Sequence, residues 1–459
     1  MPARSDRGCL RAAMQSAAIV CDRWSPSKVR IWYCDVMVRG PYAVVLAVAA
    51  FCACSDDALP CAAPVAAASP DAETCVADCG IDEDGPRCVG TCGSPLAFDW
   101  YVELPGEANC SREPVIAADV PGFVVVAGGR ERAPDTLFAI TAVSQDGCVL
   151  WDDVEDERVE EGVVASLVLG LGGAADVGYY AVGRWKRLTD TAWLDQVWIR
   201  RYTPDGDIAW TRREQSDGPS AASGVAVDAS GDALVIGGGY VYGPTRGWLR
   251  RYSADGEQST ELLDLGDGPY TYVNDIVRSD AGVWLSFWVS DGTYSRPWVA
   301  GLTAEYAIAW LAPSPGDHAG GGRLALLGGD SPVMIESSQS YGPSRVSRWA
   351  SSGALGWSRT LRGSTFIQRA TTTPDGLVVA AGQLESKPDP TPVAVVLDAD
   401  GALQAIQQIP GAAGTASDVA RAPDGALYFT GQIRRYDPAD PNAINTPPRC
   451  AVWVARAHL

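Results

Sequence analysis

Short apolar runs broken by glycine-centred turns fill the chain from about residue 119 to its end. None of these runs carries the 3.6-residue spacing of an amphipathic helix. The segments GVAVDASGDALVIGG, RATTTPDGLVVAAG and DVARAPDGALYFTG are rich in Val, Leu and Ala, and each reads as two strands joined at a Ser-Gly or Asp-Gly corner. The pattern recurs. A unit consists of an apolar strand, a tight turn, a second apolar strand and a longer loop. A strand of the W-x-x-R-[YW] kind follows, then a second tight turn and a strand reading G-x-x-x-W. The clearest copies of this second half run from Trp198 to Trp210, from Trp248 to Glu257 and from Val346 to Trp357.

The two turns give independent rulers. Gly122, Gly178, Gly231, Gly282, Gly329, Gly376 and Gly425 mark the first turn, at intervals of 47 to 56 residues. Gly147, Gly206, Gly256, Gly353 and Gly401 mark the second; its copy near Ala304 and Glu305 has lost the glycine, although Trp310 still follows. Glycine at these corners supplies the positive φ that hairpins between right-twisted strands require. Four short strands repeated at this period predict an all-β fold, a β-propeller of seven four-stranded blades. The last unit is incomplete: after its first pair the chain has one more strand, CAVWVARAHL, and stops. The missing fourth strand is present early, as LAFDWYVEL between Leu96 and Leu104. The expected arrangement is a ring closed by the N- and C-terminal strands, which removes two exposed sheet edges. A six-bladed ring with a loose N-terminal strand, or an open array, is the alternative.

Before the repeats the chain changes character. Residues 1–36 hold no useful pattern and read as an overextended start, with Met37 the initiator. Residues 37–54 combine Arg39, an apolar stretch too short to span a bilayer comfortably, and small residues before a cysteine. This segment resembles a bacterial lipoprotein signal, with Cys54 the lipidated residue and Cys52 the alternative; Phe51 departs from the usual Leu. A plain secretion signal or an uncleaved anchor is the competing interpretation. The expected location is outside the cytoplasm, as an outer-membrane lipoprotein facing the periplasm or the surface. Residues 55–94 read as a Cys-rich flexible tether, and 95–459 as the propeller. Removal of the signal and lipidation leave Cys61, Cys75, Cys79, Cys88, Cys92, Cys110, Cys148 and Cys450. An even number in an exported chain predicts disulfides. The Cys75/Cys79 and Cys88/Cys92 spacings miss the C-x2-C knuckle of zinc sites, and the acidic run from Asp82 to Asp84 lacks the ligand spacing of a calcium loop. No metal and no cofactor is expected.

Composition excludes some partners. A formal net charge of −20, with three lysines in the chain, sets the protein against nucleic-acid phosphates and anionic headgroups. Membrane contact is therefore expected through a lipid anchor alone. Sixteen tryptophans suggest sugar binding, but Trp151, Trp198, Trp210, Trp248, Trp310 and Trp357 recur at fixed repeat positions, which assigns them to packing between blades.

Chemistry is sparse. In a four-stranded blade both tight turns lie on one face of the ring, while the longer loops lie on the other, where binding is expected. A Tyr and Arg pattern recurs there in consecutive blades: Tyr242 with Arg246, Tyr294 with Arg296, Tyr341 with Arg345. Tyrosine and arginine together suit stacking on sugars or clasping carboxylates; inherited turn chemistry, with each Arg paired to a local acid, is the plainer explanation. His318 beside Asp317 lies in a loop between blades, but adjacent residues do not make a catalytic triad. No nucleophile elbow, zincin motif or phosphate-cradling loop is present.

Asp228-x-x-Gly231 and the run from Ala422 to Gly431 resemble the seven-bladed propeller repeats of exported bacterial proteins, over about Leu96 to Leu459. That resemblance implies a fold and an exported setting, because those repeats share no single chemistry. The G-x-x-x-W strand is also similar to repeats of quinone-dependent dehydrogenases, through a packing motif only. The expected function is a lipid-anchored binding or scaffolding module for a protein or glycan at the cell surface or in the periplasm. The competing class is a propeller enzyme, either a glycan-active lyase or hydrolase or a quinone-dependent dehydrogenase.

Overall fold

The structure, a computed structural model, describes residues 96–104, 113–132, 135–154, 163–188, 193–214, 220–239, 247–257, 259–264, 270–290, 295–315, 322–337, 343–361, 365–384, 390–409, 414–435 and 449–459, with four short strands before residue 96. Two of those strands, Ile19–Arg23 and Trp32–Val36, pair with Cys21 opposite Cys34. The other two, Cys79–Asp82 and Gly85–Cys88, pair with Cys79 opposite Cys88, within the segment read as a tether. The signal segment 37–54 with Cys54, and Cys61, Cys75, Cys92 and Cys110, lie outside the described residues.

Seven antiparallel four-stranded sheets make up the rest, and the protein is a seven-bladed β-propeller. Blades 1 to 6 span 115–154, 163–214, 221–264, 270–313, 322–361 and 365–408, each with its strands in chain order. Blade 7 takes Thr415–Arg421, Leu427–Arg435 and Arg449–His458 from the C-terminal end and Ala97–Glu103 from the N-terminal side. The last two run antiparallel, with Ala97 opposite His458 and Glu103 opposite Trp453. Leu104 N–H donates to the Val452 carbonyl at 2.8 Å, and His458 Nε2 meets Asp99 Oδ2 at 2.8 Å. Across the closing boundary, Ile116 N–H donates to Asp418 Oδ2 at 3.0 Å and Ser417 Oγ to the Pro114 carbonyl at 2.9 Å. The ring is thus closed by hydrogen bonds as well as by packing.

The core lies between neighbouring sheets. Val235, Val379, Phe429, Trp198 and Trp453 are fully buried, and apolar clusters join successive blades around the ring. Burial of this kind removes most of each side chain from water, worth about 1.5–3 kcal/mol apiece. At the first turn of blade 3 the Asp228 side chain accepts from the N–H groups of Ser230 and Asp232 at 2.8 and 3.0 Å, while Gly231 sits at φ +86°. This is why the Asp-x-x-Gly pattern makes a corner: the carboxylate holds the loop and the glycine takes the left-handed step.

Candidate functional site

The first strand of each blade faces the ring centre. Five of these strands carry a β-bulge at the same level, between Val168 and Gly170, Ala222 and Gly224, Val273 and Asp275, Ile367 and Arg369, and Ala416 and Asp418. A bulge inserts one residue and re-aims the side chains around it. Here it brings Asn274, Asp275, Gln368, Arg369, Ser417 and Asp418 to one level of the central channel.

A belt of charge results. Arg369 Nη1 lies 3.4 Å from Asp418 Oδ2, Arg323 Nη1 donates to the Asn274 carbonyl at 2.7 Å, and Gln368 Nε2 donates to Glu113 Oε1 at 2.8 Å. The carboxylates are committed to holding blades together. Asp275 accepts from Leu324 N–H at 2.8 Å and from Ile276 N–H at 3.0 Å. Asp418 accepts from Ile116 N–H at 3.0 Å and from Val419 N–H at 2.8 Å. Desolvation raises the Glu113 carboxyl above its ordinary value.

Towards the turn face, the same strands enclose a cavity of about 690 Å³. Its wall is built mostly from small residues and exposed backbone, with Gly172, Val225, Ala226 and Leu326 among them and hydroxyls from Ser279, Thr372 and Thr373. Four groups stand out against that wall: Asp119 from blade 1, Arg278 from blade 4, Thr371 from blade 6 and Arg421 from blade 7. Asp119 is exposed to the cavity, whose walls crowd its carboxylate and weaken its solvation. That desolvation lifts its carboxyl to about 6, and the hydrogen bond from Gly173 N–H at 3.0 Å offsets only part of it. Arg278 Nη1 donates to the Val227 carbonyl at 3.2 Å. Arg421 meets no acceptor or carboxylate among the described residues, and the Thr371 hydroxyl likewise has no partner there. Among the described residues no aromatic ring lines the cavity.

Of the ligand-face residues singled out from sequence, Arg296 and Arg345 are described. Tyr242, Arg246, Tyr294, Asp317, His318 and Tyr341 lie outside the described residues. Arg296 is exposed and donates Nη2 to the Ser314 carbonyl at 3.3 Å, within blade 4. Arg345 is half-buried, opposite Glu336 on the neighbouring strand of blade 5. Cys148 and Cys450 are disulfide-bonded. Among the described residues no group of three or more His, Cys, Asp or Glu side chains is placed to hold a metal ion.

Sequence reasoning missed Arg278 and Arg421, although a signal existed. Asp275-Ile276-Val277-Arg278 and Asp418-Val419-Ala420-Arg421 follow one D-[IV]-x-R pattern, each four residues before its turn glycine, Gly282 or Gly425. The pattern occurs in two blades, so a search for what all blades share passes over it.

No known protein family matches the chain, and no characterised relative does. Solved structures similar to it include a protein of unknown function from Bacteroides caccae, at 10% identity over 67% of this chain and 98% of that one, with a TM-score of 0.39. Hydrazine synthase of Kuenenia stuttgartiensis is 12% identical over 61% of this chain and 80% of that one, with a TM-score of 0.43. Sqt1 from Chaetomium thermophilum is 13% identical over 77% and 88%, with a TM-score of 0.44.

Proposed function

We propose that the protein is an extracytoplasmic binding module, anchored through a lipid on Cys54, whose ring takes up a glycan or protein ligand at the cell surface or in the periplasm. The observation that carries this reading is the central cavity, about 690 Å³, with Arg421 and Thr371 uncommitted on a wall of mostly small residues. Cavities of roughly 300–1,000 Å³ with a few convergent polar groups are typical ligand sites. The disulfide-bonded Cys148 and Cys450 fit an oxidising compartment.

The enzyme reading needs more than the cavity offers. Glycoside hydrolysis uses two carboxylates about 5–9.5 Å apart, one of them free to take or give a proton. In the described channel, Asp275 and Asp418 accept backbone N–H groups on both oxygens, and Asp119 is the one carboxylate lining the cavity. The test is to probe glycan and surface-protein arrays with the full chain in detergent, then examine each bound ligand by mass spectrometry. Saturable binding with the ligand recovered unchanged is expected; a cleaved or oxidised ligand would move the protein into the enzyme class.

A further inference from the structure

We propose that the cavity is a site for a carboxylate-bearing, polyhydroxylated ligand of the uronic-acid class. The inference rests on the reading of the protein as a binding module and names the chemistry that module selects.

Arg278 and Arg421 occupy the same repeat position, in blades 4 and 7 of a ring of seven, and so face the cavity from nearly opposite sides. Arg421 is uncommitted, and Arg278 spends one N–H on a backbone carbonyl. Both guanidinium groups are half-buried at the cavity wall with no carboxylate beside them, although acidic residues outnumber basic ones 56 to 36 in this chain. The structure could have neutralised both arginines internally, as it neutralises Arg369 with Asp418 a few residues away. Leaving them open makes each a planar fork ready for an incoming carboxylate.

The rest of the wall narrows the ligand further. Neutral sugars are usually held by an aromatic platform against the ring face, and the described wall of this cavity has none. It has instead a carboxylate acceptor in Asp119 and a hydroxyl in Thr371, on the walls of blades 1 and 6. Such groups pair with ligand hydroxyls, not with a second anion. Inorganic phosphate would be repelled by Asp119 and leaves most of a cavity of about 690 Å³ unfilled.

Titration calorimetry on the full chain in detergent tests the idea, with glucuronate and galacturonate as probes. Glucose, succinate and inorganic phosphate serve as comparisons. A uronate should bind, glucose and succinate should bind at least tenfold more weakly, and R421Q should weaken the uronate at least tenfold. R278Q should also weaken it, and unchanged thermal midpoints would establish that both variants fold. Equal affinity for glucose or succinate would overturn the proposed class, as would tight phosphate binding, an unaffected R421Q, or no uronate binding at all. Array ligands that bind the wild type and R421Q alike would sink this inference but leave the binding module standing. An absence of any array ligand would count against both.

Discussion

The Trp357 indole N–H donates to the Ala399 carbonyl of the next blade at 2.8 Å, with its ring packed against Gly401. The same clasp joins Trp210 to Ala254 at 2.9 Å over Gly256 and Trp310 to Ser351 at 2.6 Å over Gly353. Trp100 reaches the Gln145 carbonyl at 2.7 Å, and Trp151 packs on Gly206. Two boundaries differ. Between blades 3 and 4 the outer strand Ser259–Asp264 has no tryptophan, and the facing turn has Tyr306 at φ +63° in place of glycine. Tyr306 packs instead with Leu262 and Leu263. Between blades 6 and 7 the corner is formed by the two ends of the ring. Glycine is needed under the indole for room as well as for its dihedral, so tryptophan and glycine disappear together.

Replacing Gly401 with Ala should therefore be costly. The site has φ +77°, and a Cβ would fall 2.7 Å from the Trp357 ring. Left-handed strain and overpacking together predict a loss of roughly 2–4 kcal/mol. Gly329→Ala is the control, since φ there is +81° but a Cβ meets nothing within 4 Å; it should lose only the strain, roughly 1–2 kcal/mol. Equal losses in urea denaturation would mean that the indole contact is irrelevant.

Part of the clasp was legible in the sequence: the recurring turn glycines gave the period and the blade count, and the tryptophans that follow the second turn marked the outer strands, the closing strand with Trp100 among them. The channel wall was not. Its side chains are set by bulges, which depend on how two strands pair and leave no mark in either strand alone. Asp418 reads as one acid among 56 acidic residues until the bulge points it at Ile116 of the first blade. Of the repeated Tyr and Arg pattern, Arg296 donates to the Ser314 carbonyl and Arg345 stands in register with Glu336, while Tyr242, Arg246, Tyr294 and Tyr341 lie outside the described residues. Repetition marks what holds the ring. Arg278 and Arg421 depart from it, in two blades of seven.

Deleting Leu96 to Leu104 should open the ring. The segment buries Leu96, Trp100, Val102 and Leu104 and covers the edge of Arg449–His458. Its loss would expose that edge and about four apolar side chains, each worth about 1.5–3 kcal/mol of burial. Light scattering should reveal association at concentrations where the intact chain is monodisperse. A monodisperse truncation with an unchanged melting temperature would contradict the closure.

Disulfide mapping should find Cys148 and Cys450 in separate bridges. Cys148 sits at the second turn of blade 1, donating its N–H to Ser144 Oγ at 3.0 Å. Ser144 pairs with Phe123, and five residues further along that strand Gly128 packs on Val452 at the opposite end. The two cysteines are thus separated by more than roughly 15 Å of strand, far beyond the 4.4–6.8 Å between Cα atoms of a disulfide. Non-reducing peptide mass spectrometry should detect each in a crosslink, and never the pair together. A Cys148–Cys450 peptide would overturn the assigned register.

Glu336 gives the sharpest pH prediction. Its side chain is fully buried, Ser314 Oγ donates to Oε2 at 2.6 Å, and Oε1 has no hydrogen-bond partner. Desolvation holds its carboxyl above the ordinary value of 4.5, and neither the Ser314 hydroxyl nor the charge of Arg345 reverses the shift. A folded carboxyl raised above its unfolded value binds the proton more tightly in the native state. Its contribution to stability is therefore full below pH 4.5 and is lost as pH rises through the raised folded value. Glu336→Gln keeps an acceptor for Ser314 and has no proton to lose. The wild type should decline relative to the variant as pH is raised from 4 to 8, with Glu336→Gln the more stable at the upper end. Thermal midpoints measured side by side across that range decide it: a constant difference would mean that Glu336 ionises at no cost to the fold, and that Arg345 compensates it in full.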